Sequence, residues 1–147
     1  MSNILLDTNI LLRFCTPTSP QHPEIERALA HLRLQGHIPC LTAQNIVEFW
    51  AVATRPSEVN GLGWDITKTQ QRIEQLLTQF LLLEDTPAIF ARWWELVATH
   101  QIKGKKVHDT RLVAVMQAHG VTHLLTFNTD DFKAFSNITL LHPKDIS

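Results

Sequence analysis

Short, unbroken apolar runs alternate along this chain with longer stretches in which apolar residues return every three or four positions. The run Asn3-Ile4-Leu5-Leu6-Asp7 is continuously apolar and ends in a carboxylate, the pattern of a strand buried on both faces of a parallel sheet. A helix is expected from about Thr8. Pro17, Pro20 and Pro23 interrupt the chain, and Glu24 to Leu34 then reads as a helix closed by Gly36. Ile38-Pro39-Cys40-Leu41 reads as a second strand, although Pro39 is an awkward residue inside a sheet. A helix follows from Ala43 to Arg55, ended by Pro56. The stretch Pro56 to Gly63, with Asn60-Gly61, reads as a loop, and Asp65 to about Leu76 as a further helix. Phe80-Leu81-Leu82-Leu83 is apolar enough for a third strand. Pro87 stands where a first helical turn tolerates proline, ahead of a helix to about His100. Asp109 reads as the cap of a helix from Thr110 to His119 that stops at Gly120. His123 to Phe127 and Ile138 to Leu141 supply the fourth and fifth strands. Strands alternating with helices predict a three-layer α/β/α fold around a mostly parallel, roughly five-stranded sheet.

Topology then places chemistry. Asp7 and Asn128 each follow a strand, so both belong at the carboxyl edge of the sheet. A helix that precedes a parallel strand starts on that same edge, which brings Asp109 there. Glu48, early on the helix after the second strand, reaches the same edge within a narrow polar stripe of Gln44, Glu48 and Arg55. Each residue has an ordinary reading: Asp7 and Asp109 as helix caps, Glu48 as a solvated or Arg55-paired glutamate, Asp130-Asp131 as a turn. Together they conflict electrostatically. Carboxylates about 5 Å apart repel by about 3 kcal/mol at an effective dielectric of about 20, a cost that caps and turns do not require and that a cation removes. Oxygen donors imply a hard ion, Mg²⁺ or Mn²⁺. Removing one charge is expected to relieve the repulsion, more safely at Asp7, which follows a strand, than at Asp109.

The bulk properties narrow the choice. A chain of 147 residues that is 44% hydrophobic suits one domain, residues 1–147, with one sizeable core. With 13 Lys and Arg against 14 Asp and Glu, it lacks the overall positive charge of many nucleic-acid binders, so any RNA contact has to be local. Lys103, Lys105, Lys106, His108 and Arg111 form such a patch beside Asp109; a solvated loop is the plainer reading of the same residues. Trp93 and Trp94 are adjacent on a helix, about 100° apart, so one is expected to pack inward. Cys15 and Cys40 have no metal-ligand spacing and read as buried thiols in a reducing compartment. The first residues carry no basic charge and no apolar stretch approaches the roughly 20 residues of a membrane span, so a soluble, cytoplasmic protein is expected.

Ile4-Leu5-Leu6-Asp7-Thr8-Asn9, the Glu48 helix, Ala53-Thr54-Arg55-Pro56 with Asn60-Gly61-Leu62-Gly63, Val107-His108-Asp109-Thr110-Arg111-Leu112, and Leu125-Thr126-Phe127-Asn128-Thr129-Asp130-Asp131-Phe132 together resemble a PIN domain of the VapC toxin type. The likeness spans nearly the whole chain, with the motifs in the right order. It implies a parallel sheet flanked by helices, Mg²⁺-dependent endoribonuclease activity, a homodimer, and inhibition by a small antitoxin. Asp7, Glu48 and Asp109 correspond to the acidic core of that site. Many relatives carry a fourth acid directly after the fourth strand, where this chain has Asn128, and others three residues later, where it has Asp131. Asp131 is the favoured fourth carboxylate and Asn128 an orienting residue. The implied chemistry is hydrolysis of an RNA phosphodiester, with a metal on Asp7 and Asp109 polarising the phosphate and activating water. The rival readings are a PIN-like scaffold that binds RNA or protein without cutting, and a phosphoryl-transfer α/β domain. An aspartate-nucleophile phosphatase would want a second carboxylate at position 9, where this chain has Asn9.

Overall fold

A computed structural model describes residues 2–146. Five strands, β1 (Asn3–Leu6), β2 (Ile38–Thr42), β3 (Leu81–Leu83), β4 (His123–Leu125) and β5 (Thr139–Leu141), form one sheet in the order β3-β2-β1-β4-β5, and every pairing is parallel. The helices are α1 (Thr8–Phe14), α2 (His22–Leu34), α3 (Ala43–Thr54), α4 (Ile66–Gln79), α5 (Pro87–Thr99) and α6 (Lys106–Ala118). Alternation along the strands divides the core in two. Ile4, Leu6, Leu41 and Leu125 pack on one face against α1 to α4 through residues such as Ile10, Ile25, Phe49 and Leu76. Leu5, Cys40, Leu83 and Leu124 pack on the other against α5 and α6 through Ile89, Val113 and Met116. The three-layer α/β/α architecture follows. Cys15 and Cys40 are buried free thiols. Among the described residues no helix is long and apolar enough to cross a membrane.

Pro39 is accommodated because of where its missing N–H would point. Ile38 donates its N–H to Ser2 on the β1 side, so the alternation turns position 39 toward β3. There β3 pairs only from Cys40 onward, opposite Leu81, and no acceptor of the ladder is left empty. Pro23 likewise lies inside the first turn of α2, which begins at His22 rather than after the proline. The third strand starts one residue late because Phe80 serves as the C-cap of α4.

The larger correction concerns Asp109. It is not a cap: α6 starts at Lys106, one turn earlier, and Asp109 lies within its first turn. The N-cap Lys105 makes no side-chain capping bond, while Gly104 at φ 63 turns the chain into the helix. The helix still starts at the carboxyl edge of the sheet, so Asp109 remains on the side the topology assigns it.

The loop after α3 is held unusually close to that helix. Leu62 and Trp64 donate their N–H groups back to Val52 and Ala53, and Gly63 donates to the Arg55 carbonyl. A Cβ at Gly61 would stand 1.9 Å from that same carbonyl oxygen. Gly61→Ala therefore forces the backbone apart, and a loss of about 1–3 kcal/mol is expected in denaturant melts; a variant as stable as wild type would show that the loop gives way freely.

Candidate metal centre

Asp7 caps α1, with Oδ1 accepting the Thr8 N–H at 2.8 Å and Oδ2 accepting the Thr126 hydroxyl at 2.7 Å. It is only 8% exposed. Burial raises its pKa above the ordinary 3.8; the Thr126 and Thr8 hydrogen bonds oppose this, and the charges of Glu48 and Asp131 add to it. Asp109 feels the same crowding more strongly. Burial first, then the charges of Asp7, Asp131 and Glu48, push its carboxyl up to about 7, against a lowering by Lys106. Three further acids thus act on Asp109 at once.

Glu48 is oriented by two neighbours, of which the sequence had placed only Gln44 beside it. Its Oε1 accepts the Thr8 hydroxyl at 2.6 Å and its Oε2 accepts the Gln44 amide at 3.1 Å. Thr8 in turn accepts from Asn45, itself locked in a capping box with Thr42 at the start of α3. A buried polar chain from Thr42 through Asn45 and Thr8 therefore fixes the carboxylate. Thr8 was visible beside Asp7 in the sequence; Asn45 and Thr126 gave no signal, because their partners lie 37 and 119 residues away.

Asp7, Glu48, Asp109, Asn128 and Asp131 line one pocket of about 360 Å³, together with Asn9 and Arg55. Asn128 and Asp131 sit at the start and third position of the 3-10 turn after β4, with the Asp131 N–H donating to the Asn128 carbonyl at 3.0 Å. Asp130 does not line this pocket; its exposed carboxylate pairs with Lys133, which lowers its pKa.

The five basic candidates are not one patch. Lys103 and Lys106 line a separate groove with His100, Asp130 and Asp131. His108 and Arg111 line a different, apolar groove with Phe90 and Trp93. Arg111 is held there by Asp85 at 3.3 Å and by Gln44 at 3.2 Å. Lys105 is exposed at the head of α6 and lines neither groove. Trp93 is half-buried, its indole donating to the Val107 carbonyl, while Trp94 is 62% exposed.

The donor set fits a hard cation. Every acid in the pocket offers oxygen, the neighbouring carboxylates help to raise the pKa values of Asp7 and Asp109, and the Asn9 Oδ1 is buried without a partner. Among the described residues no three His, Cys, Asp or Glu side chains converge into a ready-made cage, so the acids form an open cleft and not a closed coordination sphere.

The PIN domain pattern matches residues 4–138. The chain belongs to the PIN domain family. No curated protein matches the sequence. Among solved structures, this PIN domain is similar to VapBC-1 from nontypeable Haemophilus influenzae, with a TM-score of 0.73 and 16% identity over 97% of this chain and 98% of that one. It is similar to VapBC2 from Rickettsia felis, described as bound to a DNA fragment from the promoter, with a TM-score of 0.71 and 15% identity over 95% and 98%. It is also similar to Mycobacterium tuberculosis VapC20, described as a toxin that cleaves the sarcin-ricin loop, with a TM-score of 0.69 and 17% identity over 90% and 95%. At these identities the likeness is one of fold, and it agrees with the all-parallel sheet.

Proposed function

We propose that this PIN domain is a Mg²⁺-dependent endoribonuclease, the toxin of a toxin–antitoxin pair. The observation that carries the reading is the raised carboxyl of Asp109, on which the charges of Asp7, Asp131 and Glu48 converge inside one pocket. Side chains that merely cap helices and close turns have no reason to be brought into mutual repulsion. Mn²⁺ would satisfy the same oxygen donors.

Asp7 and Asp109 would hold the cation, with Glu48 and Asp131 completing its surroundings. When bound, a divalent ion supplies charge neutralisation at the phosphate and a more acidic water. The residues of the chain do the rest. Thr8 and Gln44 hold Glu48 so that its carboxylate can orient a water or accept its proton. Thr126 and the Thr8 N–H fix Asp7 against rotation. Asn128, its N–H held by Thr126 at 2.9 Å, presents an uncharged amide beside Asp131. Lys103 and Lys106 supply backbone contacts for RNA on the Asp131 side; Arg111, already engaged by Asp85 and Gln44, is assigned a positioning part instead.

An antitoxin partner belongs to the same proposal, supported by the likeness to VapBC structures; a homodimer is proposed from the sequence resemblance alone. We place the protein in the cytoplasm, as one nuclease domain. Light scattering of the purified chain tests the dimer.

Cleavage of single-stranded RNA tests the activity. Wild type is expected to cut in Mg²⁺ or Mn²⁺, to stop in EDTA, and to lose activity in Asp7→Asn. Metal-independent cleavage that survives Asp7→Asn sinks the assignment. RNA binding without any cleavage would favour a binding-only scaffold, the alternative for which Asn128 in place of an acid speaks. Hydrolysis of a generic phosphate ester would favour a phosphoryl-transfer enzyme.

A further inference from the structure

We infer that Arg55 binds a phosphodiester oxygen of the RNA strand at the mouth of the acidic pocket, as a dedicated substrate-positioning residue; this rests on the ribonuclease reading. Arg55 lines the pocket shared by Asp7, Glu48, Asp109 and Asp131. Surrounded by acids, it nevertheless makes no ion pair within 4.0 Å among the described residues, where the only side-chain pairs are those of His22, Arg111 and Lys133. The cation that acts on Asp109 is Lys106. Arg55 is exposed, so its charge is not committed to offsetting the carboxylates and stays available to a ligand.

Its position is built rather than incidental. Arg55 follows Glu48 by seven residues, two turns along the same face of α3, which separates their backbones by about 10 Å. That spacing sets the Arg55 backbone two turns back from Glu48 along the pocket wall, so its side chain is offered to the RNA strand rather than to the ion. Pro56 keeps Arg55 out of the helical region, and it closes α3 as an extended C-cap at φ −63, ψ 141. Its N–H is spent on the Ala51 carbonyl and its own carbonyl on Gly63. Gly61 is packed so tightly beneath it that a Cβ would fall 2.5 Å from the Arg55 Cβ. The loop from Pro56 to Gly63 thus clamps the backbone of the one cationic residue lining this pocket.

A polyanion approaching four carboxylates needs compensation beyond the metal. A guanidinium offers two parallel donors to non-bridging phosphate oxygens, which also fixes the strand's direction. Charge alone would be met by lysine; orientation would not.

The test measures binding and cleavage separately. Anisotropy of a labelled single-stranded RNA is followed over a salt series with Asp109→Asn, to prevent cleavage, and with Asp109→Asn/Arg55→Gln. Loss of one phosphate contact is expected to reduce the slope of log K against log salt by about 0.7. Affinity is expected to fall about tenfold at low salt. Arg55→Lys is expected to keep the slope of the arginine protein. In the otherwise wild-type enzyme, Arg55→Gln should lower kcat/KM at least tenfold and Arg55→Lys several-fold. Because Arg55 is exposed, Arg55→Gln should melt within about 0.5 kcal/mol of wild type and show the same Mg²⁺ shift, which separates substrate contact from damage to the pocket. An unchanged salt slope and unchanged affinity in a protein that does bind RNA overturns the inference alone. Failure of the wild type both to bind and to cut RNA overturns it together with the ribonuclease reading.

Discussion

Asp109→Asn is expected to raise the melting temperature of the metal-free protein at pH 8 while it abolishes cleavage. In the folded chain the Asp109 carboxyl is pushed up to about 7 from its ordinary 3.8. Below pH 3.8 both folded and unfolded chains hold the proton, and the group costs nothing. As pH rises through the window from about 4 to about 7, the unfolded chain ionises while the native one keeps its proton, so native stability falls and the deficit is complete above 7. At 1.36 kcal/mol per pKa unit, and discounted for partial solvent screening, the deficit is on the order of 2–4 kcal/mol. Asparagine removes it. The competing loss is a favourable carboxylate in the first turn of α6, worth about 0.3–1 kcal/mol. Relief wins, and for a chain of this size the gain corresponds to roughly 5–10 °C. Mg²⁺ should stabilise wild type more than the variant, because the variant has lost a ligand. Melts in EDTA at pH 5 and pH 8 check the sign: the gain is expected to be large at pH 8 and small at pH 5. An Asp109→Asn protein that melts below wild type at pH 8 would count against shared repulsion.

The second large effect separates Asp131 from Asn128. Both line the pocket, but only Asp131 is among the charges that raise both Asp7 and Asp109. Asp131→Ala and Glu48→Ala are therefore each expected to cut the cleavage rate at least tenfold, about 1.4 kcal/mol. Asn128→Ala removes a neutral amide held by its backbone to Thr126, so its effect should be smaller. Single-turnover rates of the three variants decide it; an unimpaired Asp131→Ala enzyme would move the role to Asn128.

Much of the sheet edge was legible because topology, and not side-chain detail, fixes it. The run ending in Asp7 and the polar residue after β4 had to share an edge once all strands were parallel. Gly120 and Pro87 punctuated helices as their backbone chemistry requires. What failed was local or long-range. The start of α6 carries no capping side chain, so Asp109 was the only visible signal and drew the helix one turn short. Asp7 looked the safer site for charge relief, since it follows a strand. Its two oxygens are in fact both engaged, and an asparagine amide cannot accept from Thr126 while its oxygen accepts from Thr8. Relief at Asp7 is therefore expected to be smaller than at Asp109. The basic cluster near Asp109 read as one patch because its members are neighbours in sequence; around a helix start Lys103 and Lys106 turn to one groove, His108 and Arg111 to another, and Lys105 to neither. The Gln44 amide meets Glu48 at the i,i+4 spacing of a helix face, but its second contact, the His108 carbonyl, is a tertiary link that no spacing rule encodes.

The claim beneath all of these expectations is that Asp7, Glu48, Asp109 and Asp131 act on one cation, and a Mn²⁺ titration followed by electron paramagnetic resonance tests it most directly. Wild type is expected to bind Mn²⁺ in competition with Mg²⁺, and Asp7→Asn and Asp109→Asn are each expected to weaken that binding at least tenfold. Equal Mn²⁺ affinity in wild type and both variants would contradict it.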